Sequence, residues 1–194
     1  MRGPAALRRA AKRVGRRAGW LRPDTHTELS IPVTCTAHLL DAWPGPRRGI
    51  VSSHHVTVLD PFVPSFLLGA DVEAAVREIL GDMAPFTYEL ARLERFPGVL
   101  YLAPDPDEPF IEMTEALCRR FPDYPPYGGA FDSIVPHVTL VLGPEPPGLA
   151  AHVQARLPVR GTVDEVWLMM ELPDGSWSAG RRFPLGRGSA TRPQ

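Results

Sequence analysis

The chain has 194 residues, 44% of them hydrophobic, and a formal net charge of −1. That length suits one domain with a sizeable core. No apolar run approaches the ~20 residues that span a membrane as a helix. The two cysteines, Cys35 and Cys118, make neither a disulfide framework nor a metal knuckle, and both read as core residues of a protein kept in a reducing cytoplasm.

The small net charge hides a segregation. Residues 1–28 carry eight basic and two acidic groups, residues 181–194 carry four arginines and no acid, and the interval 29–180 therefore holds −11. An acidic body argues against a long DNA or RNA track, because such binding neutralises many phosphates. A small nucleotide or one RNA end remains compatible. The basic start lacks the 7–15-residue apolar region of a signal peptide, since Trp20-Leu21 is followed by Arg22-Pro23-Asp24. Residues 1–28 are expected to form a disordered tail, 29–186 the folded domain and 187–194 a disordered end.

In chain order, Ile31–Leu40 reads as a β-branched strand, Trp43–Pro46 as a turn, and Ile50–Leu59 as a second strand ended by Asp60-Pro61. Val72, Ala75, Val76, Ile79 and Leu80 lie on one helical face, with Asp71 as N-cap and Gly81 as stop. Phe86–Arg95 and Val99–Leu102 form a hairpin turning at Pro97-Gly98. Phe110, Met113, Leu117, Cys118 and Phe121 mark a second helix with Pro109 in its first turn. A Pro/Gly/Tyr-rich loop, 122–136, leads to a strand beginning near His137. Leu149, Val153 and Leu157 mark a short third helix closed by Pro158. Thr162–Leu172 and Trp177–Leu185 form a last hairpin.

Two strings stand out in this layout: His55-Val56-Thr57 and His137-Val138-Thr139, each followed by apolar residues. On a strand, His and Thr of each string project from the same face, about 6–7 Å apart, and the valine points to the opposite side. Six histidines and eighteen Ser or Thr in a chain of this apolar content give about 0.25 His-apolar-Thr/Ser strings by chance, so two are a specific signal. The order after each string is the same: strand, helix, hairpin. The motifs lie 82 residues apart, and the turns Glu94–Gly98 and Glu171–Gly175 recur 77 apart. A duplicated unit with two pseudo-symmetric lobes explains why the chemistry appears twice.

Histidine can be a neutral base in one copy and a protonated acid in the other near neutral pH. The threonine hydroxyls can hydrogen-bond an anionic phosphate. The remaining histidines read as ordinary: His54 faces away from His55, His38 has no Thr or Ser two residues on, His152 flanks a helix and His26 falls in the tail. A zinc site needs three or four ligands in concert, and Asp60 beyond a proline turn does not supply them. No metal or other cofactor is expected. Tyr127-Gly-Gly-Ala130 lacks the lysine and helix of a phosphate loop. For a nucleobase, Phe62, Phe96, Tyr127 and Phe131 are the stacking candidates by position. Arg95 or Arg181 is a candidate for a second phosphate.

His55-Val-Thr-Val-Leu-Asp-Pro-Phe-Val-Pro64 and Pro136-His137-Val-Thr-Leu140 resemble the signature of the two-histidine (2H) phosphoesterase superfamily, in its 2′-5′ RNA ligase-like branch. The resemblance covers roughly residues 30–186. It implies an α+β, bilobal, pseudo-two-fold fold, with two antiparallel sheets lining a central cleft and helices outside. It also implies metal-independent hydrolysis or ligation at 2′,3′-cyclic or 2′-5′ phosphodiester linkages of nucleotides or RNA ends. By the same resemblance His55 is the acid and His137 the base, while Thr57 and Thr139 hold the phosphate. Sequence alone does not fix the order of acid and base, the substrate, or the direction of reaction. A monomer without a membrane span is expected. The alternative is a nucleotide- or RNA-end-binding protein that uses the same scaffold without catalysis.

Overall fold

The computed structural model describes residues 26–186, so the basic stretch 1–25 and residues 187–194 lie outside it. The described elements are β1 (Thr27–Pro32), α1 (Ala37–Asp41), β2 (His55–Leu59), α2 (Ala70–Gly81), β3 (Phe86–Phe96), β4 (Val99–Asp105), α3 (Glu108–Arg120), β5 (Val138–Leu142), α4 (Leu149–Gln154), β6 (Val159–Val163), β7 (Glu165–Glu171) and β8 (Trp177–Pro184). A single turn of 3₁₀ helix occupies Ser65–Leu67, and a tight turn with left-handed residues spans Pro126–Gly129. Among the described residues no helix is long and apolar enough to cross a membrane.

All eight strands join one antiparallel sheet in the order β6-β3-β4-β5-β2-β1-β7-β8. Its middle is thin. β2 and β5 share the single register pair Val56–Val138, while their outer neighbours are paired over several residues. The two sheets expected from the sequence are therefore two four-stranded halves, β6-β3-β4-β5 and β2-β1-β7-β8, fused at a seam. Each half has one motif strand at its inner edge. The halves are also interleaved. The hairpin β3–β4, which follows the first motif, completes the half of the second motif, and β7–β8 completes the half of the first. β6 forms one end of the sheet and β7 lies next to the other end, yet only Asp164 separates them in the chain. A one-residue link of that kind requires the sheet to curl until its ends approach.

Several boundaries differ from the sequence reading, each for a local reason. β1 starts at Thr27, inside the span expected to be tail, and Thr27 and Glu28 are buried. It ends at Pro32, which has no N–H to donate to a ladder. Residues 37–40, read as the end of that strand, belong to the helix α1, entered by a turn in which Thr36 Oγ1 donates to the Val33 carbonyl at 3.2 Å. Residues 50–51 run beside β5 through an Ile50–Val141 bridge and a Val51 N–H bond to Leu140 O, but the strand proper begins at His55. α2 starts one residue before Asp71, with Gly69 as its N-cap. The segment Thr162–Leu172, read as one strand, is divided at Asp164.

The core forms where the helices cover one face of the sheet. β2 contributes Val56 and Val58 and β5 contributes Val138 and Leu140, all buried. α3 packs on β2 and α2 on β8. The apolar faces seen in the sequence are the buried ones: Ala75, Val76 and Leu80 of α2, and Phe110, Met113 and Leu117 of α3. Thr114, also buried, donates from Oγ1 to Val58 O at 2.9 Å and so clips α3 to the first motif strand. Each large apolar side chain fully withdrawn from water contributes roughly 1.5–3 kcal/mol.

Candidate functional site

Strand alternation sets the site. With Val56 and Val138 turned into the core, His55, Thr57, His137 and Thr139 take the opposite face, where all four are half-buried. The antiparallel pairing of Val56 with Val138, continued one residue each way, sets His55 across from Thr139 and Thr57 across from His137. Opposed side chains have Cβ atoms about 4.5–5.5 Å apart and diagonal ones about 7–8 Å. The two imidazoles thus stand diagonally across the seam, each beside the other motif's threonine.

Both rings are anchored in the same way. Nδ1–H of His137 donates to Val135 O at 2.8 Å, and Nδ1–H of His55 donates to Ser53 O at 3.3 Å. Each acceptor is the carbonyl two residues upstream. A carbonyl can only accept, so Nδ1 carries the proton in both rings and Nε2 is the atom whose protonation changes.

The surroundings of the two rings differ. His137 meets Phe96 and Tyr101 at ring-centroid distances of 5.2 and 5.3 Å, and those two rings stack on each other at 4.2 Å. Burial among them lowers the His137 pKa below the ordinary imidazole value, its bond to Val135 opposing the shift. His55 instead has a carboxylate near it: Nε2 lies 3.7 Å from Glu28 Oε1. An imidazolium is favoured beside a carboxylate and disfavoured in an apolar wall.

A second group of residues borders the first motif. His26 bridges Asp60 (Nε2–Oδ1 2.6 Å) and Glu171 (Nδ1–Oε2 3.0 Å) and meets the Trp177 ring edge-on. Desolvation opposes its protonation, but the two carboxylates outweigh it and its pKa is raised. Tyr127 reaches in from the loop before β5. Its N–H donates to Asp60 O, and it lines one cavity with Thr57 and Asp60; burial, and then the charges of Asp60 and Glu28, push ionisation of its phenol upward. Its backbone is left-handed, with φ at +52°, which costs a non-glycine residue roughly 1–2 kcal/mol. Behind this loop a cavity of about 360 Å³, lined among others by Thr57, Asp60, Thr114, Cys118, Tyr127 and Phe131, opens toward α3, and neither motif histidine lines it.

The stacking candidates separate. Phe96 stands at the site, against His137. Phe131 is 49% exposed and edge-on to Tyr127. Tyr127 lines the cavity behind the loop. Phe62 is 2% exposed and packs edge-on against Phe121, so it is a core residue and offers no face to a base. After Pro61 the chain turns under the sheet, and the Phe62 N–H bonds Thr27 O at 2.8 Å. Arg95 is paired with Glu145, and Arg181 with Glu73 of α2. His54 Nδ1 shares a hydrogen bond with Thr36 Oγ1 at 2.8 Å, His152 lies edge-on to Trp43, and His38 is exposed on α1. Both cysteines are free and half-buried. Among the described residues no group of three or more His, Cys, Asp or Glu side chains is arranged to hold a metal ion.

Glu28, His26 and Tyr101 were missed as site residues in the sequence. The alternation Leu29-Ser30-Ile31 was the available signal for Glu28, since it puts Glu28 and Ser30 on the face opposite two core residues. Tyr101 gives no such signal, because its place follows from its pairing with Thr139.

A curled antiparallel sheet in two interleaved halves, with a His-x-Thr string from each half meeting across the seam, defines a protein of the two-histidine phosphoesterase class. The sequence pattern of the 2′-5′ RNA ligase superfamily matches residues 51–174, and the chain belongs to that superfamily. A protein of Bacillus pumilus (strain SAFR-032) assigned as a phosphoesterase is 28% identical over 139 residues, 68% of this chain and 79% of its own. The crystal structure of Escherichia coli LigT complexed with 3′-AMP superposes with a TM-score of 0.55 at 18% identity, over 83% of this chain and 98% of that one. TT0787 of Thermus thermophilus does so with a TM-score of 0.60 at 20% identity, over 84% and 99%. At that identity the two structures speak for the fold alone.

Proposed function

We propose that the protein is a metal-independent phosphoesterase that acts on 2′,3′-cyclic phosphates or 2′-5′ phosphodiester linkages of nucleotides or RNA ends. The observation that carries this reading is the register at the seam, which brings two identically anchored imidazoles and two hydroxyls to one face. That LigT has been crystallised with 3′-AMP supports a nucleotide ligand.

The asymmetry between the rings supports an assignment of roles. His137, kept neutral by its apolar wall, takes a proton from water at Nε2 as the water oxygen attacks phosphorus. His55, favoured as imidazolium by Glu28, gives its Nε2 proton to the 2′ or 3′ oxygen as the P–O bond breaks. The product is a phosphomonoester, and the net proton balance is zero. Thr57 and Thr139 donate to the non-bridging oxygens, where charge builds up in the transition state. With a 5′-hydroxyl in place of water the same roles form a diester linkage, and cleavage of that linkage back to the cyclic phosphate exchanges them. The acidic body between residues 29 and 180 suits a small nucleotide or one RNA end better than a long strand.

The test is turnover of a panel: 2′,3′-cyclic mononucleotides, 2′-5′ dinucleotides, an RNA with a cyclic-phosphate end and ADP-ribose cyclic phosphate. His55→Ala and His137→Ala should each lose about 10²–10⁴-fold in turnover of the best substrate, the usual contribution of one positioned acid or base. Full activity in both variants, or tight binding of every panel member with no turnover by the wild type, refutes the catalytic reading. The second outcome leaves a binding protein on the same scaffold.

A further inference from the structure

Strand pairing fixes what lies beside the first motif on the site face. Ser30 of β1 is opposite Thr57 on one side and Trp167 of β7 on the other, and Trp167 is opposite Arg182 of β8. The adjoining pairs Ile31–Val56, Leu29–Leu168 and Val166–Phe183 are all buried in the core. The row Thr57-Ser30-Trp167-Arg182 therefore lies on the opposite face, the one that carries the histidines. Arg181, one residue earlier, turns to the helices and pairs with Glu73 of α2. Neighbouring strands are about 4.7–4.9 Å apart, so Trp167 starts about 10 Å from Thr57. Arg182 starts one strand further out, but its guanidinium carbon lies 4.3 Å from the centre of the Trp167 ring. Its charge is thus placed at the Trp167 position of the row.

Glu165 braces this pair. Trp167 Nε1 donates to Glu165 Oε1 at 2.6 Å, and Arg182 Nη1 stands 3.7 Å from the same oxygen. That ion pair is longer than a hydrogen bond, which leaves the guanidinium N–H groups available to an anion. A guanidinium held over tryptophan by its face keeps its edge donors for the forked geometry that a phosphate accepts. Toward the start of β1 the same face carries Glu28 and, beyond it, Asp60 and Glu171 around His26. A second negative charge on a ligand is repelled from that side and attracted to the Arg182 side.

We propose that Arg182, positioned by Trp167, forms a second-phosphate subsite: with a 2′,3′-cyclic phosphate at the histidines, it binds the 5′-phosphate of the same nucleotide. At an RNA end that phosphate is the link to the preceding nucleotide. The proposal rests on the reading of Thr57 and the two histidines as the place of the reacting phosphate. A phosphate on the Thr57 hydroxyl takes up one hydrogen-bond length of the ~10 Å span, and the remainder is about the width of a ribose. A ribose carries its 5′ oxygen at one end and its 2′ and 3′ oxygens at the other, so one sugar joins the two subsites. A nucleoside cyclic phosphate without a 5′-phosphate fills only the first.

The test compares ligands that differ only in the second phosphate, on the full chain. Turnover is read as kcat/KM for adenosine 2′,3′-cyclic phosphate with and without a 5′-phosphate. Binding is read as Kd for adenosine 2′,5′-bisphosphate and for 2′-AMP. The wild type should favour the 5′-phosphorylated member of each pair by about 5- to 30-fold, the range of a charge-assisted hydrogen bond from an arginine that is 59% exposed. Arg182→Gln should abolish that preference. Arg182→Lys, which keeps the charge without the fork, should retain only part of it. Trp167→Leu should reduce the preference in the wild-type background and have no effect on it in Arg182→Gln. No preference in the wild type, or one that survives Arg182→Gln, overturns the proposal. If the binding preference depends on Arg182 but nothing is turned over, the enzymatic reading fails and the subsite stands. If cyclic phosphate is turned over with no preference that Arg182 controls, the reverse holds. A wild type that neither binds nor turns over any of the four compounds removes both.

Discussion

Glu28 is the most informative residue to change. Glu28→Gln keeps the shape of the side chain and removes its charge 3.7 Å from His55 Nε2. Two unit charges at that distance attract by about 1 kcal/mol in bulk water and about 4–5 kcal/mol at an effective dielectric constant of ~20. The His55 side chain is 37% exposed and that of Glu28 11%, so solvent screening holds the value toward the lower end, roughly 1–2 kcal/mol. If His55 is the acid, its protonated fraction sets the alkaline limb of the kcat/KM profile, and Glu28→Gln should move that limb to lower pH. The acid limb reports the base, His137, and should stay below the ordinary imidazole value, where burial puts it. The assay is kcat/KM from pH 5 to 9 on the best panel substrate, wild type against variant, with both limbs taken as properties of the coupled pair. Movement of the acid limb with the alkaline limb fixed would reverse the roles of the two histidines, and no movement of either would remove Glu28 from the reaction.

Three further outcomes are expected. His26 has a raised pKa, so the folded state binds its proton more tightly than the unfolded chain does; the stability this contributes is fully present below about pH 6.5 and lost as pH rises through the folded value. His26→Asn should therefore cost roughly 1.5–3 kcal/mol in melts at pH 5.5 and clearly less at pH 9, and an equal cost at both would show that the charge is irrelevant. Phe62→Ala should destabilise by about 3–5 kcal/mol, as a buried phenylalanine does, while the milder Phe62→Leu should leave KM for a nucleotide unchanged; a rise in KM without loss of stability would return Phe62 to the site. If the two histidines move the protons and the two threonines hold the phosphate, a chelator should leave turnover intact, and activity lost in EDTA and regained with a divalent ion would replace this mechanism.

What could be read from the sequence was whatever depends on local geometry. A spacing of two residues survives any arrangement of the strand that carries it, so His55, Thr57, His137 and Thr139 were legible at once. The same holds for the helical faces of α2 and α3 and for the β3–β4 turn. What was not legible depends on pairings between distant segments. Glu28 matters only because β1 lies against β2, and next to a stretch rich in arginine it looked like part of a tail. Asp164 looked like the interior of one strand because nothing nearby says that Val163 pairs with Phe86 while Val166 pairs with Phe183. Phe62, seven residues after His55, was near the motif in sequence but passes under the sheet. Tyr127 was found as an aromatic of a glycine-rich loop, while the tie of its N–H to Asp60 O follows only from where the chain runs after the first motif strand.

The interleaving of the halves also governs when this protein can act during its own synthesis. As the chain emerges, the first motif strand appears with β1, but β1 then has an open edge until β7 arrives more than a hundred residues later. The second motif strand finds β4 already made and is seated earlier. A nascent chain that has both histidines and all four site side chains still lacks the C-terminal hairpin that holds β1, and with it Glu28, in place. The site is therefore complete only once the chain has been made as far as β8.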